Sequence, residues 1–284
     1  MKLPFILAKR FVAGESFTES IPKAQYLNAK ELKLTLDLLG ENVSDRAKAD
    51  ETVENYIKLL DGIKEQGLIS SISIKLTMMG LDIDRQYCKD NLFKLLEVAK
   101  NHGQFVRIDM EGSDYTQVTL DLFKEALKEF GNKTVGIVIQ AMLHRTKDDI
   151  AELAELNADV RLVKGAYKEP AEKALQNMAE IRTAFKEYAK VLLANTSFPR
   201  FGTHDDELVN WIRDYAANEN LAKDAFEFQM LYGLREETMV NLTQLGYCTR
   251  VYVPFGTDWF PYFSRRLMER KENIFFVLTA MFKK

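Results

Sequence analysis

Eight short apolar pulses run along the chain, at residues 32–37, 71–75, 105–109, 135–140, 160–164, 200–204, 225–229 and 249–253. Roughly 20 to 40 residues of helical periodicity separate one pulse from the next. Several pulses, such as Val135-Gly136-Ile137-Val138-Ile139, read as continuous rather than alternating. That suits parallel strands covered on both faces. Strand alternating with helix eight times predicts an α/β fold, a (βα)8 TIM-like barrel with extra N-terminal and C-terminal helices. Nearly every pulse ends on a polar or charged residue. In such barrels chemistry sits at the C-terminal ends of the strands, where Lys75, Asp109, Gln140, Arg161 and His204 fall.

The helical segments are punctuated. An amphipathic stretch at 4–12 and a helix at 18–30 precede the first strand, so residues 1–30 form an N-terminal helical approach. Ser113 or Asp114 is placed to cap a helix ending at Gly131, and Thr146 to open the next. A long helix is predicted over 171–195, from the spacing of Ala174, Met178, Ile181, Phe185, Tyr188 and Leu192. Helices at 91–100 and 236–245 stop at Gly103 and Gly246, and residues 257–284 supply two C-terminal helical pieces, 257–268 and 272–282. No linker divides the chain, so residues 1–284 read as one barrel domain.

Composition narrows the function. A net charge of −3 gives no general attraction to nucleic acid or anionic lipid. Cys88 and Cys248 lie far apart without metal-ligand spacing, which fits a reducing, cytoplasmic compartment. No apolar run is long enough to span a bilayer, and the N-terminus lacks the features of a signal peptide. There is no dinucleotide or phosphate-binding glycine motif, no zinc spacing around the three histidines, and no sign of a Ser-His-Asp triad.

The candidate chemistry is cationic. Tyr262, Arg265, Arg266 and Glu269 share one helical face, which is either a clamp for a carboxylate or phosphate or a solvated basic face with an acidic partner. An inward Lys75 demands an anion, for which Asp109 is the obvious candidate. Arg161 and Lys164 flank the end of the fifth strand, and Gly165 and Ala166 allow close backbone approach. His204 is either a ligand contact or an incidental residue beside a helix cap. Gln140 and Gln229 either satisfy one another or face a heterocycle. With Tyr232, Tyr252 and Tyr262 at the mouth, the pattern describes a site for an anionic, partly planar ligand and a small carboxylate.

From about Phe11 to Phe282 the chain resembles the proline dehydrogenases, in their short monofunctional bacterial form. The resemblance lies in Leu36-Asp37-Leu38-Leu39-Gly40-Glu41, Ser73-Ile74-Lys75-Leu76-Thr77, Arg107-Ile108-Asp109-Met110-Glu111 and Arg161-Leu162-Val163-Lys164-Gly165-Ala166-Tyr167. It continues through Thr203-His204-Asp205, Phe226-Glu227-Phe228-Gln229-Met230-Leu231-Tyr232-Gly233, Tyr252-Val253-Pro254-Phe255-Gly256 and Tyr262-Phe263-Ser264-Arg265-Arg266.

The resemblance implies a distorted barrel that holds FAD non-covalently and oxidises L-proline to 1-pyrroline-5-carboxylate, with a membrane quinone as electron acceptor. Contact with the inner face of the cell membrane would then be peripheral. By motif match, Lys75, Arg265 and Arg266 bind the proline carboxylate, and Leu231, Tyr252 and Tyr262 cover the ring. Asp109 orders the site, and Arg161 stands near the hydride-accepting nitrogen. Met110, Gln140, Val163, Lys164, Gly165, Ala166, Thr203, His204 and Gln229 match the flavin-contacting set, and Glu269 matches a gating acid. Tyr262 further implies preference for proline over 4-hydroxyproline.

The chain departs from the pattern at His144, where relatives often carry tyrosine, at Gly112, which replaces an acid, and in how few residues precede Arg10. The alternatives are a dehydrogenase of hydroxyproline or another cyclic imino acid, a barrel aldolase or isomerase using Lys75 as a Schiff-base nucleophile, and a non-catalytic binding protein.

Overall fold

The computed structural model describes residues 5–269, with side chains as far as Arg266. Eight parallel strands close in chain order. They are β1 (Lys33–Leu38), β2 (Ser70–Ile74), β3 (Val106–Ile108), β4 (Val135–Gln140), β5 (Val160–Val163), β6 (Arg200–Gly202), β7 (Glu227–Leu231) and β8 (Cys248–Phe255). Helix α1 (Phe17–Asn28) precedes the barrel. Helices α2 (Arg46–Glu65), α3 (Arg85–His102), α4 (Thr116–Phe130), α5 (Thr146–Glu155), α6 (Met178–Asn195), α7 (Asp206–Asn218), α8 (Glu236–Gln244) and α9 (Trp259–Glu269) follow the strands one by one. The (βα)8 expectation is met, and β8 closes on β1 from Lys33↔Arg250 to Leu38↔Phe255.

β4 is buried along its whole length, as its continuous apolar run suggests, while other strands carry polar residues between their apolar ones. Leu34, Leu36, Ile72, Ile74, Ile137, Ile139, Leu162, Phe228 and Met230 join the apolar core shared with the helices. The intervening positions bond to one another across the lumen. A barrel of this kind usually fills its interior with branched apolar side chains; this one fills it with charge. Asp159 accepts from Arg200 Nη2 at 2.6 Å and also binds Arg107, while Glu227 Oε1 accepts from Arg200 Nη1 at 2.9 Å and Arg250 Nε at 2.7 Å. Arg250 continues to the Leu34 carbonyl at 2.5 Å and Ser71 Oγ at 3.1 Å, and Ser71 meets Thr35 at 2.9 Å. Gly136 gives the Arg107 guanidinium its space, because a Cβ there would lie 2.4 Å from Arg107 Nη1 and 2.6 Å from the Asp159 carbonyl. The glycine within the fourth pulse is thus a packing requirement of the arginine opposite it on the neighbouring strand β3.

Local boundaries shift for identifiable reasons. The helix predicted over 171–195 begins only at Met178, capped by Asn177, whose side chain accepts from Ala179 N at 2.7 Å. The preceding residues pack elsewhere: Leu175 N donates to the Met142 carbonyl at 2.8 Å, and Ala174 is buried with Met142 and Leu143. Ser113 lies in a short 3₁₀ turn, Ser113–Tyr115, with its hydroxyl on Glu169 rather than at a cap. Thr146 does open α5, as expected, and its hydroxyl donates back to the Gln140 carbonyl at 2.6 Å. The stretch at 4–12 holds a 3₁₀ turn, Phe5–Leu7, and the helix at 91–100 starts earlier, at Arg85, capped by Asp84. The piece predicted at 272–282 lies outside the described residues. The N-terminal segment threads back against β8: Ala13 N donates to the Pro254 carbonyl at 2.8 Å and Gly256 N to the Gly14 carbonyl at 2.9 Å. There Leu7, Ala8, Phe11 and Val12 pack with Leu39 and with Trp259, Tyr262 and Phe263 of α9.

Burial opposes ionisation of Glu227 and Asp159, but the arginines outweigh it and hold both carboxyls below their ordinary values of 4.5 and 3.8. Depressed carboxylates stabilise the fold above the unfolded-state values and lose that contribution as pH falls through the folded ones. Denaturant melts at stepped pH are therefore expected to show stability falling as pH drops below about 4.5. In Glu227→Gln this acid-dependent loss should be markedly smaller, from a lower starting stability.

Candidate active site

The strands deliver their polar residues to one place. Lys75, Asp109, Met110, Gln140, Arg161, Val163, Lys164, Gly165, Ala166, Thr203, His204, Gln229, Leu231, Tyr252, Tyr262, Arg265 and Arg266 all line one cavity of about 680 Å³. Glu269 is the last residue of α9, and its side chain lies outside the described residues. Tyr232 does not reach the cavity; its ring packs against the apolar core, and only its backbone touches Tyr252. Asp37, Tyr167, Met178 and Arg182 line the cavity too. Of these the sequence signal for Asp37 was available: it is the buried acid that ends the first pulse.

Asp109 is the centre of the polar floor. Its Oδ1 accepts from Ser73 Oγ at 2.8 Å and from Arg161 Nη2, and its Oδ2 accepts from the Tyr252 hydroxyl at 2.8 Å. Arg161 is not at the end of its strand. It is the second residue of β5, paired in register with Val138 and Arg200. From there it crosses the lumen, donating also to Gln229 Oε1 at 3.2 Å and lying 5.3 Å from the Tyr252 ring centroid. Gln229 donates in turn to Glu227 at 2.7 Å. The floor of the cavity is therefore continuous with the charged lumen below it.

One expected pairing is corrected, and one of two alternatives left open is closed. The anion bonded to Lys75 is Asp37 on β1, at 3.4 Å, and not Asp109, which Arg161 draws across the barrel. Burial works against the Lys75 ammonium, but the charges of Asp37 and Asp109 outweigh it and raise its pKa above the ordinary value. Burial pushes the Asp37 carboxyl up to about 6, against the pull of Lys75 and with the Asp109 charge adding. Nor do the two amides satisfy each other: Gln140 Nε2 donates to the Glu111 carbonyl at 2.9 Å, while Gln229 is held by Arg161 and Glu227.

The rim is equally organised. His204 Nε2 accepts from Leu231 N at 2.9 Å, tying its ring to the end of β7, and the neighbouring Asp205 caps α7 by accepting from Glu207 N. Asp205 also gathers Lys164 at 3.0 Å and Arg182 at 2.8 Å. Gly165 has φ of +120°, a conformation that excludes side-chain-bearing residues without strain. On α9, Arg266 is buried over the Tyr262 ring at 5.1 Å, and Arg265 pairs with Glu41 at 2.7 Å. Arg265, Lys75 and Tyr262 also border a second cavity of about 960 Å³, beyond Glu41 and lined by Phe5, Leu39, Trp259 and Phe260. Among the described residues, no three His, Cys, Asp or Glu side chains gather as metal ligands.

The family model for proline dehydrogenase matches residues 20–278. Proline dehydrogenase 2 of Bacillus subtilis (strain 168) is 40% identical over 279 residues, spanning 98% of this chain and 91% of that protein. The proline dehydrogenase of Deinococcus radiodurans is 37% identical over 280 residues, spanning 98% and 90%. Among solved structures, proline utilization A from Bdellovibrio bacteriovorus, inactivated by N-propargylglycine, superposes with a TM-score of 0.88 at 29% identity, covering 93% of this chain and 32% of that one.

Removing the floor's central carboxylate strands several buried groups at once. Asp109→Ala leaves Arg161 without its acid and the hydroxyls of Ser73 and Tyr252 without their acceptor, and is expected to cost about 3–5 kcal/mol. Tyr252→Phe deletes one hydrogen bond and should cost only about 1 kcal/mol. Urea denaturation of the pair checks both, and equal losses would contradict the central position given to Asp109.

Proposed function

Because this chain belongs to the proline dehydrogenase family, we propose that its cavity binds FAD non-covalently beside L-proline and that the electrons taken leave to a quinone. The chain is an oxidoreductase of proline catabolism, converting L-proline to 1-pyrroline-5-carboxylate on the route to glutamate. The observation that carries the cofactor and site assignments is the convergence of Lys75, Arg161, Arg265, Arg266, Gln140 and Gln229 on one cavity.

The donor set suits a flavin. A planar heterocycle with an alternating donor and acceptor edge needs both kinds of partner. One N–H of the Gln140 amide is committed to the Glu111 carbonyl, which leaves its oxygen to accept from a ligand N–H and its second N–H to donate. Arg161 offers a fixed guanidinium, and Met110, Val163 and Leu231 supply apolar wall. Lys164, Gly165, Ala166, Thr203 and His204 line the side where the remainder of the cofactor would run, and Gln229 keeps Arg161 in place. When bound, the flavin supplies the two-electron acceptor for hydride.

The residues of the chain do the rest. Arg265, Arg266 and Lys75 hold the carboxylate, which fixes the ring at a set distance from the acceptor. Tyr252, Tyr262 and Leu231 cover the ring and exclude water. Arg161 provides positive charge where negative charge accumulates as hydride arrives, in a site that need not reorganise. Asp109 keeps Arg161, Ser73 and Tyr252 in register. The Arg265–Glu41 pair stands between the two cavities, and its opening and closing would admit substrate. That gives Glu41 the gating part which the sequence suggested for Glu269. Tyr262 occupies space that a ring hydroxyl would need, which favours proline over 4-hydroxyproline.

Among the described residues no helix is long and apolar enough to cross a membrane. The reading places the enzyme in the cytoplasm, meeting its quinone peripherally at the inner face of the membrane. A Schiff-base aldolase fits less well, because Asp37 and Asp109 keep Lys75 as an ammonium, and only the neutral amine attacks a carbonyl.

The direct test is optical. Purified protein should be yellow, should bleach anaerobically on addition of L-proline, and should respond far less to 4-hydroxyproline; a colourless protein that neither takes up FAD nor bleaches would overturn the reading. Arg266→Lys should raise the proline KM by ~30- to 150-fold, equivalent to about 2–3 kcal/mol of charge-assisted bonding, while the flavin spectrum stays unchanged. Loss of the flavin in that variant would place Arg266 on the cofactor instead.

A further inference from the structure

Oxidation of a secondary amine needs a proton acceptor, because the ammonium form of proline cannot release hydride from the adjacent carbon. The floor of the cavity holds two buried carboxylates, and their bonding differs. Asp109 is saturated, with Arg161 and Ser73 on one oxygen and Tyr252 on the other. Asp37 has Lys75 on Oδ1, and its Oδ2 is buried without a hydrogen-bond partner among the described residues. Both acids and Lys75 line the cavity, and Asp37 is fully buried.

We infer that Asp37, reached through the Lys75 ammonium, accepts the proton that the proline amine gives up. This rests on the reading of Lys75 as a contact of the bound substrate. A Lys75 N–H first breaks as an O–H forms on Asp37; the neutral lysine amine so formed then takes the proton of the proline ammonium, an N–H breaking on the substrate as one forms on Lys75. The proton is left on a carboxyl oxygen, and Lys75 is an ammonium again before hydride leaves. With a flavin bound, that group would accept the hydride leaving C5, and the protonated C=N bond so formed would lose its last proton to solvent after release.

The charges favour this direction. Before reaction Asp37 and Asp109 balance Lys75 and Arg161. Protonation of Asp37 leaves one uncompensated positive charge, arriving as the pocket gains the negative charge of the hydride. The surroundings of Asp37 agree with a carboxyl able to take a proton. Lys75 at the end of β2, Asp109 after β3, Tyr252 on β8 and Tyr56 on α2 face it, with Arg161 beyond Asp109. Burial and the Asp109 charge raise its proton affinity, while Lys75 and the Tyr252 hydroxyl lower it.

The test separates this assignment from the function itself. The rate of anaerobic flavin bleaching by L-proline in the unmodified enzyme is expected to fall about tenfold per pH unit below a pH near 6. Asp37→Asn should slow bleaching roughly 10²-fold or more and lose that acidic limb, while still binding tetrahydrofuran-2-carboxylate, which has the carboxylate but no N–H. A variant that keeps the limb and the rate overturns the inference and leaves proline oxidation standing; an unmodified enzyme that never bleaches overturns the proposed function instead. Should Asp37→Asn not fold, infrared difference spectra of the unmodified enzyme decide. Reduction by proline should create the C=O stretch of a protonated buried carboxyl that shifts in D2O, and its absence rejects Asp37.

Discussion

The fold depends on one constraint: charges placed inside a closed sheet must find partners inside that sheet. Arg107, Arg200 and Arg250 project into the lumen beside Asp159 and Glu227. Leaving any of these ions unpaired in that environment would cost several kcal/mol. The apolar layer between strands and helices supplies the driving force for burial, but it does not choose how the strands meet. The partners within the lumen are demanding in that respect, because a slip of one residue would turn every inward polar group outward.

The candidate active site is the upper storey of the same lattice. Glu227 holds Gln229, Gln229 holds Arg161, and Arg161 holds Asp109. A cationic site built this way is set before any ligand arrives, which is the condition under which fixed charges lower a barrier. The arrangement has an energetic cost. Asp37, with its raised pKa, destabilises the fold at neutral pH, since a carboxyl that binds protons more tightly folded than unfolded loses stability as pH rises through that pKa. A group that weakens the fold at working pH while bordering a cavity is characteristic of residues retained for chemistry.

The architecture was legible in the sequence because eight apolar pulses cannot be arranged in many ways. The polar residue closing most pulses also pointed to the right end of the barrel. What the sequence obscured is which neighbour each ion selects. Lys75 adjoins two strands, β1 and β3, and both offer an acid at the same height. Asp109 lies near in the motif pattern, but Arg161 reaches it from the opposite wall, and Asp37 is left to Lys75. Such a choice depends on the length of an arginine two strands away. Likewise nothing in Val135-Gly136-Ile137-Val138 announces that the glycine's space is occupied by the Arg107 side chain. The late start of α6 is a tertiary effect too, since Met142 and Leu143 capture the segment that periodicity alone assigns to the helix.

Phe11 and Val12 share an apolar seam with Trp259 and Phe263, so the helix that bears the paired arginines is moored to residues from the other end of the described chain. On the ribosome these partners emerge far apart in time. The first of them must wait, with rings uncovered, while the whole barrel is being synthesised. Completion of the clasp therefore follows synthesis of the whole barrel. A nascent chain released before Trp259 would keep its barrel staves but present a bare aromatic wedge, the kind of surface that chaperones exist to shield.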